Sequence, residues 1–461
     1  MVLPRTDNEG PRHASGTLDS EKPAIDNLYG ENRTIPAILK IFLVFSLILI
    51  LNRLRVQLSL SLLIGSLLLA LLTQLGPEAF IRGTLAAVSS LQTLSLVAII
   101  GLLLIMSRLM EGSGHMKRLV DSFTRLSKDA RIVGSVMPAL IGLLPMPGGA
   151  LFSAPMVETS LHERSVSGEQ KTVLNYWFRH IWEYWWPLYP GVVLAIALLE
   201  VDTWRFITFM APLTLLSAIA GVIFILLPLR GIETHRERHL TWSGIKGFLW
   251  EIMPILIVIL VILLLAGLTR FLHLFDIHIK ISGVTSILPG LVLAILWVCM
   301  VNHIPLRQFR AALLDKSILS LLLLIFSIMI FKTIMTDSQA VSQVRDELMA
   351  YKIPVLLVIM ILPFVSGIIT GVAMGFVGAS FPLIIPLFHT NQPIDYMALA
   401  ALAYAFGYMG MMLSPVHLCL LVSKDYYKAS LTKSYRHLLP PVIMVLMMVV
   451  VLYFGMKALT H

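Results

Sequence analysis

Charge is what this sequence lacks most. Of its 461 residues only 13% are Asp, Glu, Lys or Arg, while 57% are hydrophobic. A soluble globular domain carries roughly 25% charged residues, so a chain of this composition cannot cover a water-facing surface with polar groups. Cysteine is equally scarce. Cys299 and Cys419 lie far apart, in or beside apolar segments, which excludes a disulfide framework and leaves no zinc-type ligand spacing. Enzyme signatures are missing too. There is no His-Glu-x-x-His, no Gly-x-Ser-x-Gly and no intramembrane Asp pair, and Leu161-His162-Glu163-Arg164 lacks a second histidine. Gly112-Ser113-Gly114 lacks the third glycine and the preceding strand of a phosphate loop. Residues 1–35 are polar and mixed in charge; they carry no cleavable signal peptide and are expected to form a disordered tail.

What fills the chain instead is apolar blocks. Ile41–Leu51, Leu58–Leu72, Leu94–Met106, Val192–Leu199, Ile255–Leu265 and Val442–Val451 carry almost no charge. With their flanks they reach the roughly 20 residues that a helical crossing of a bilayer needs. Helix is the expected state, because in lipid each backbone N–H and C=O must be satisfied within its own segment. Ten crossings are expected, near 36–51, 56–75, 93–110, 181–199, 206–228, 248–269, 281–301, 317–335, 397–422 and 438–457. The net charge of +9 sits between these blocks, as the positive-inside rule produces, and does not point to nucleic acid.

Two further apolar stretches, near 132–158 and 353–388, are broken by Pro and Gly. Six Lys and Arg lie between Arg108 and Arg131, four between Arg230 and Lys246, and four between Lys424 and Arg436. These basic loops, with those at Arg53/Arg55 and Arg307/Arg310/Lys316, fall on one side only if both broken stretches enter and leave by the same face. The expectation is an all-α polytopic membrane protein of about ten transmembrane helices plus two opposed re-entrant hairpins, with external termini. It divides into the tail, a first repeat at 36–229, a basic cytoplasmic loop at 230–247, and a second, inverted repeat at 248–461. Inverted repeats with a discontinuous helix in corresponding positions point to the binding site of a secondary transporter.

The first hairpin reads Gly142-Leu-Leu-Pro145-Met-Pro147-Gly148-Gly149-Ala-Leu-Phe-Ser153-Ala-Pro155. Pro147 and two glycines cannot continue a helix, so an unwound tip is expected, with Ser153 capping a new helix. The second hairpin holds Gly367, Thr370, Gly371, Gly375, Gly378, Ser380 and Pro382. The Gly367/Gly371/Gly375 stripe reads first as close helix packing, with Gly378 and Ser380 at the tip. Unpaired N–H groups at such tips favour anions, and exposed carbonyls favour Na+.

Each hairpin is followed by an unusual crossing. Eight of the fifteen residues from Asn175 to Tyr189 are aromatic, including four of the eight tryptophans; they read as an interfacial belt. Arg179 and Glu183 stand four apart and could pair, with His180 beside them, and charges in a crossing usually face a cavity or a partner. The second crossing contains Ser414-Pro415-Val-His417. Pro415 frees carbonyls, and His417 carries a proton or satisfies one of them. The methionines around Met409–Met412 read as core filling. The expected substrate- and ion-binding residues are therefore Pro147, Gly148, Gly149, Ser153, His180, Glu183, Thr370, Gly375, Gly378, Ser380, Ser414 and His417. No catalytic residue, bound metal or cofactor is expected beyond Na+ or H+ as coupling ion. The expected partners are the lipid bilayer and a small anion, and a homodimer is left open.

Four phrases carry a resemblance: Gly-Leu-Leu-Pro-Met-Pro-Gly-Gly-Ala (142–150), Tyr-Trp-Phe-Arg-His-Ile-Trp-Glu-Tyr-Trp-Trp-Pro (176–187), Gly-Phe-Val-Gly-Ala-Ser-Phe-Pro (375–382) and Met-Leu-Ser-Pro-Val-His-Leu-Cys (412–419). Through them the chain after residue 35 resembles an uncharacterised integral membrane family, the domain-of-unknown-function family numbered 401. That family resembles the ion transporter superfamily of gluconate, citrate, dicarboxylate and arsenite carriers. The resemblance implies two inverted repeats with opposed hairpins, moving a small anion with Na+ or H+ across the cell's cytoplasmic membrane. The tips here lack the asparagine of the Ser-Asn-Thr-type motifs in those carriers. A secondary transporter is thus the leading expectation; an intramembrane enzyme and an ion channel are the alternatives. With no ATP-binding motif, uphill transport must draw on an ion gradient or a partner.

Overall fold

A computed structural model of the chain describes residues 35–115, 118, 122, 130–143, 149–161, 166–229, 242–276, 283–388 and 392–460. Its internal contacts divide it into Met1–Pro36 and Ala37–His461. Only Ile35 and Pro36 of the first unit are described, so the expected tail lies outside the described residues. The second unit is built of helices and the turns that join them, without a strand among its described residues.

Among the described residues, six helices are long and apolar enough to cross a membrane: Leu91–Gly112, Thr203–Leu229, Met253–Leu272, Val284–Val301, Lys316–Asp337 and Leu431–Ala458. Local sequence explains several of their ends. Ser90 caps the first by accepting from the Thr93 N–H at 3.2 Å, and Asp315 caps Lys316–Asp337 through the Ser317 N–H at 2.8 Å. Their environments differ. Leu91–Gly112 and Lys316–Asp337 have 72% and 56% of their apolar windows buried, whereas Met253–Leu272 and Leu431–Ala458 have 17% and 28%. The outer helices therefore present Leu, Ile, Met and Phe outward, among them Leu264, Phe271, Met447 and Phe454. Such a surface is stable against lipid, not water. The chain is a multi-pass, all-α membrane protein.

Both broken stretches form helical hairpins. Ala130–Ile141 packs against Ala150–Leu161, and Val355–Thr370 against Ala373–Ile384. Three of the arms have 12 residues and rise about 18 Å, and Val355–Thr370 has 16 and rises about 24 Å, all short of the roughly 30 Å hydrocarbon layer. The position of the second tip differs from expectation. Gly371 (φ +64°) closes the first arm, a left-handed geometry that glycine adopts without strain, and extended Val372 starts the second. Gly378 and Ser380 instead lie inside Ala373–Ile384. Ser380 is free to sit there because its hydroxyl donates to the Phe376 carbonyl at 2.6 Å, one helical turn back. Gly378 faces Ile328.

Two expected crossings are not single helices. The one drawn at 181–199 consists of Gly168–Arg179 and Pro190–Leu199 with ten non-helical residues between them. Pro187 and Pro190 cannot donate to the ladder and so set its lower limit. The one at 397–422 consists of Pro393–Met412 and Leu418–Tyr426, parted at Ser414-Pro415. The packing around these breaks is reciprocal. Each hairpin's first arm lies on the half-helix that follows it in sequence, Ala130–Ile141 on Gly168–Arg179 and Val355–Thr370 on Pro393–Met412. Each second arm reaches across the chain, Ala150–Leu161 to Leu418–Tyr426 and Ala373–Ile384 to Pro190–Leu199.

Beyond the end of Leu91–Gly112, a buried polar cluster carries its own pH dependence. His115 Nε2 meets the Glu251 carbonyl at 2.6 Å, and Arg118 Nη2 meets His115 Nδ1 at 3.2 Å. The arginine contact needs a neutral ring, whereas the Glu251 carboxylate 3.3 Å from the same Nδ1 favours a charged one; burial, helped by Arg118, prevails and holds the pKa below the ordinary 6.5. The unfolded chain therefore takes up this proton first, so stability is full above pH ~6.5 and declines as pH falls below it. Replacing His115 by Asn should flatten the decline in Tm of detergent-solubilised protein between about pH 7.5 and 5. An unchanged slope would show that the ring does not contribute to it.

Candidate functional site

The two breaks meet. His180, the first residue after Gly168–Arg179, has its Nε2 3.1 Å from Nε2 of His417, the residue just before Leu418–Tyr426. The rings pack edge to face with centroids 4.9 Å apart, and Tyr176 lies against both. Arg179 and Glu183 stand beside them, the guanidinium Nη1 3.8 Å from the carboxylate, with side chains only 2% and 8% exposed. His180, His417, Arg179 and Glu183 edge a cavity of about 230 Å3, lined also by Tyr189, Cys419, the second hairpin's tip at Gly371–Met374, and Leu104, Leu321 and Leu324 of the two most buried spans.

Breaking two helices inside an apolar bundle frees carbonyls, each costly if left unpaired. Tyrosine hydroxyls take them. Tyr176 donates to Met412 at 3.1 Å, Tyr435 to Leu413 at 3.0 Å and Tyr404 to Glu183 at 2.8 Å. Tyr408 donates to His180 and Tyr189 to Gly142. The tryptophans do the same: Trp177 donates to Ser217, Trp182 to Ala139 and Trp186 to Leu143, at 2.8–2.9 Å. This overturns the interfacial-belt expectation. Tyr176, Trp177, Tyr184 and Trp186 are buried within the protein, where each ring fills space and its polar tip finds a partner, a carbonyl for Tyr176, Trp177 and Trp186 and the Ser217 hydroxyl for Tyr184.

Of the expected site residues, the structure brings only His180, Glu183 and His417 to the cavity. Pro147 and Gly148 lie outside the described residues, and Gly149 immediately precedes Ala150–Leu161. Ser153 does not cap that helix. It lies inside the first turn, its hydroxyl 3.3 Å from the Ala150 carbonyl. Thr370 bonds back to Ser366 at 2.8 Å, and Gly375 packs beneath the Thr370 side chain. Ser414 ties the second break to the hairpin by donating to the Ile368 carbonyl at 2.6 Å. Sequence reasoning misses Arg179, Tyr189, Cys419 and the Gly371 tip as site residues. Arg179 is legible as a charge inside a crossing. Cys419 is not, since its neighbour His180 is far away in sequence. Among the described residues, His180, His417 and Cys419 also form a cluster whose ligand atoms lie within 4.8 Å of one another.

Fold and site together define a multi-pass helical membrane protein with a largely apolar cavity, edged by a few buried polar groups, between two interrupted helices. The chain belongs to the family described as "Protein of unknown function (DUF401)", whose model matches residues 37–456. No curated protein matches it. Among solved structures it is similar to the YdaH transporter of Alcanivorax borkumensis, described as having an unusual topology, at 15% identity and a TM-score of 0.45. The match covers 84% of this chain and 90% of that one.

Proposed function

We propose that this chain is a secondary transporter of the cytoplasmic membrane, moving a small anion together with a proton by alternating access. The observation that carries this reading is the meeting of the breaks at 180–189 and 413–417 around a cavity edged by the buried Arg179 side chain. Interrupted helices in corresponding halves of a chain are the usual ground for a transporter site. The reciprocal packing of the hairpins fits two inverted repeats with re-entrant hairpins, able to rock against each other.

Arg179 supplies the anion's counter-charge, and Glu183 occupies it when the cavity is empty. An entering anion displaces the carboxylate, which would then remain charged in an apolar surrounding. Taking up a proton removes that cost. Proton coupling is favoured over Na+ because the carbonyls of His180, Glu183, Met412 and Leu413 are already engaged by tyrosine hydroxyls.

Uptake into proteoliposomes tests this, after a thermal-shift screen of carboxylates and oxyanions has chosen the labelled anion. An inward proton gradient should drive accumulation and an Na+ gradient alone should not; Glu183→Gln should abolish the proton-driven component while retaining binding. Uptake driven by Na+ alone, or undiminished in the Gln variant, would refute the mechanism.

A further inference from the structure

Two imidazole nitrogens held about 2.0–2.1 Å from one metal ion at tetrahedral or trigonal angles sit roughly 3.3–3.6 Å apart, a few tenths of an ångström beyond a hydrogen-bonded pair. His180 Nε2 and His417 Nε2 are 3.1 Å apart, and the sulfur of Cys419 completes a buried trio within 4.8 Å. The outer contacts suit ligation. His180 Nδ1 donates to the Tyr176 carbonyl at 2.6 Å, which holds the ring and leaves its Nε2 with a lone pair, as the outer partner of a metal-bound histidine does. His417 is buried against the hairpin tip, where a backbone hydrogen bond to Gly371 holds its ring. The protein thus packs three ligating side chains against one cavity.

We propose that His180, His417 and Cys419 form a site for a soft monovalent metal ion, Cu(I). Thiolate and imidazole are donors this ion takes readily, and three ligands serve it where structural Zn2+ sites use four. Charge points the same way. Arg179 Nη1 lies 3.4 Å and Glu183 Oε1 3.8 Å from His180 Nε2, so their opposite charges offset one another at the ring. Cu(I) on a thiolate adds no net charge to this chamber, whereas Zn2+ would leave one positive charge in an apolar wall. Binding releases the Cys419 thiol proton and leaves the copper in its reduced state. The site lies in the wall of the proposed transport chamber, but it stands on this geometry alone and is tested without reference to transport.

The test is an anaerobic titration of the purified, detergent-solubilised chain with Cu(I), in competition with a chromophoric chelator. One ion per chain should bind, with affinity lowered roughly tenfold or more in Cys419→Ser and in His417→Gln, and unchanged in Cys299→Ser. Copper X-ray absorption on the unmodified protein, which needs no variant to fold, should show one sulfur and two imidazole nitrogens. Failure to bind one equivalent, unchanged affinity in Cys419→Ser, or a first shell without sulfur would each overturn the site. Zn2+ binding more tightly than Cu(I) would overturn the choice of ion.

Discussion

Replacing Gly367 by valine should destabilise the protein by at least about 3 kcal/mol, the top of the usual range for overpacking a core. A Cβ at this position would stand 2.2 Å from the Gly407 carbonyl oxygen and 2.6 Å from the Met411 nitrogen. The contact is reciprocal, since a Cβ on Gly410 would meet the Phe364 carbonyl oxygen at 2.1 Å. Val355–Thr370 and Pro393–Met412 therefore touch backbone to backbone. The obstructing atoms belong to helical ladders and cannot rotate aside as a side chain would. The whole hairpin would have to lift, and with it the Gly371 tip that closes the cavity. Gly267 is the control. It lies in Met253–His273 with nothing within 4 Å of its virtual Cβ, so Gly267→Ala should be neutral or stabilising by roughly 0.5–1 kcal/mol. Unfolding of detergent-solubilised variants gives both values. A Gly367→Val protein as stable as Gly267→Ala would remove the close-packing account.

The second large effect concerns Arg179 and Glu183. Breaking a buried pair by removing one partner costs about 3–5 kcal/mol, because the other charge is left uncompensated in an apolar surrounding. Arg179→Gln and Glu183→Gln should each show a loss of that order, and the double variant much less than their sum. Transport should separate from stability in the same set. The double variant should regain folding without regaining uptake, since the proposed counter-charge for the anion is gone. Additive losses in stability would mean the two groups do not act on one another, and uptake by the stable double variant would place anion binding elsewhere.

A good part of the fold is legible in the sequence. Blocks such as Leu94–Met106 and Ile255–Leu265 can satisfy their backbones only as helices, and they are helices. Pro and Gly mark both hairpins because they act locally, on φ and on a missing donor. Precision fails where composition is ambiguous. Gly371, Gly375 and Gly378 look alike in sequence, and only packing decides that the first turns the chain while the others lie inside a helix. The aromatic run at 176–189 misleads for a related reason. A tryptophan at a membrane surface and one completing a broken ladder in the core use the same amphipathic ring, and the sequence does not say which carbonyl lies opposite.

By itself, then, the scarcity of charge determined the solvent of this protein and the helical state of its spans, and proline and glycine marked its two hairpins, since each follows from a residue and its near neighbours. The meeting of His180 with His417, the enclosure of Arg179 and Glu183, and the approach of Cys419 were decided only by tertiary structure. Those contacts join segments more than two hundred residues apart, and their geometry comes from glycine-to-backbone packing and tyrosine-to-carbonyl bonds that no local pattern encodes.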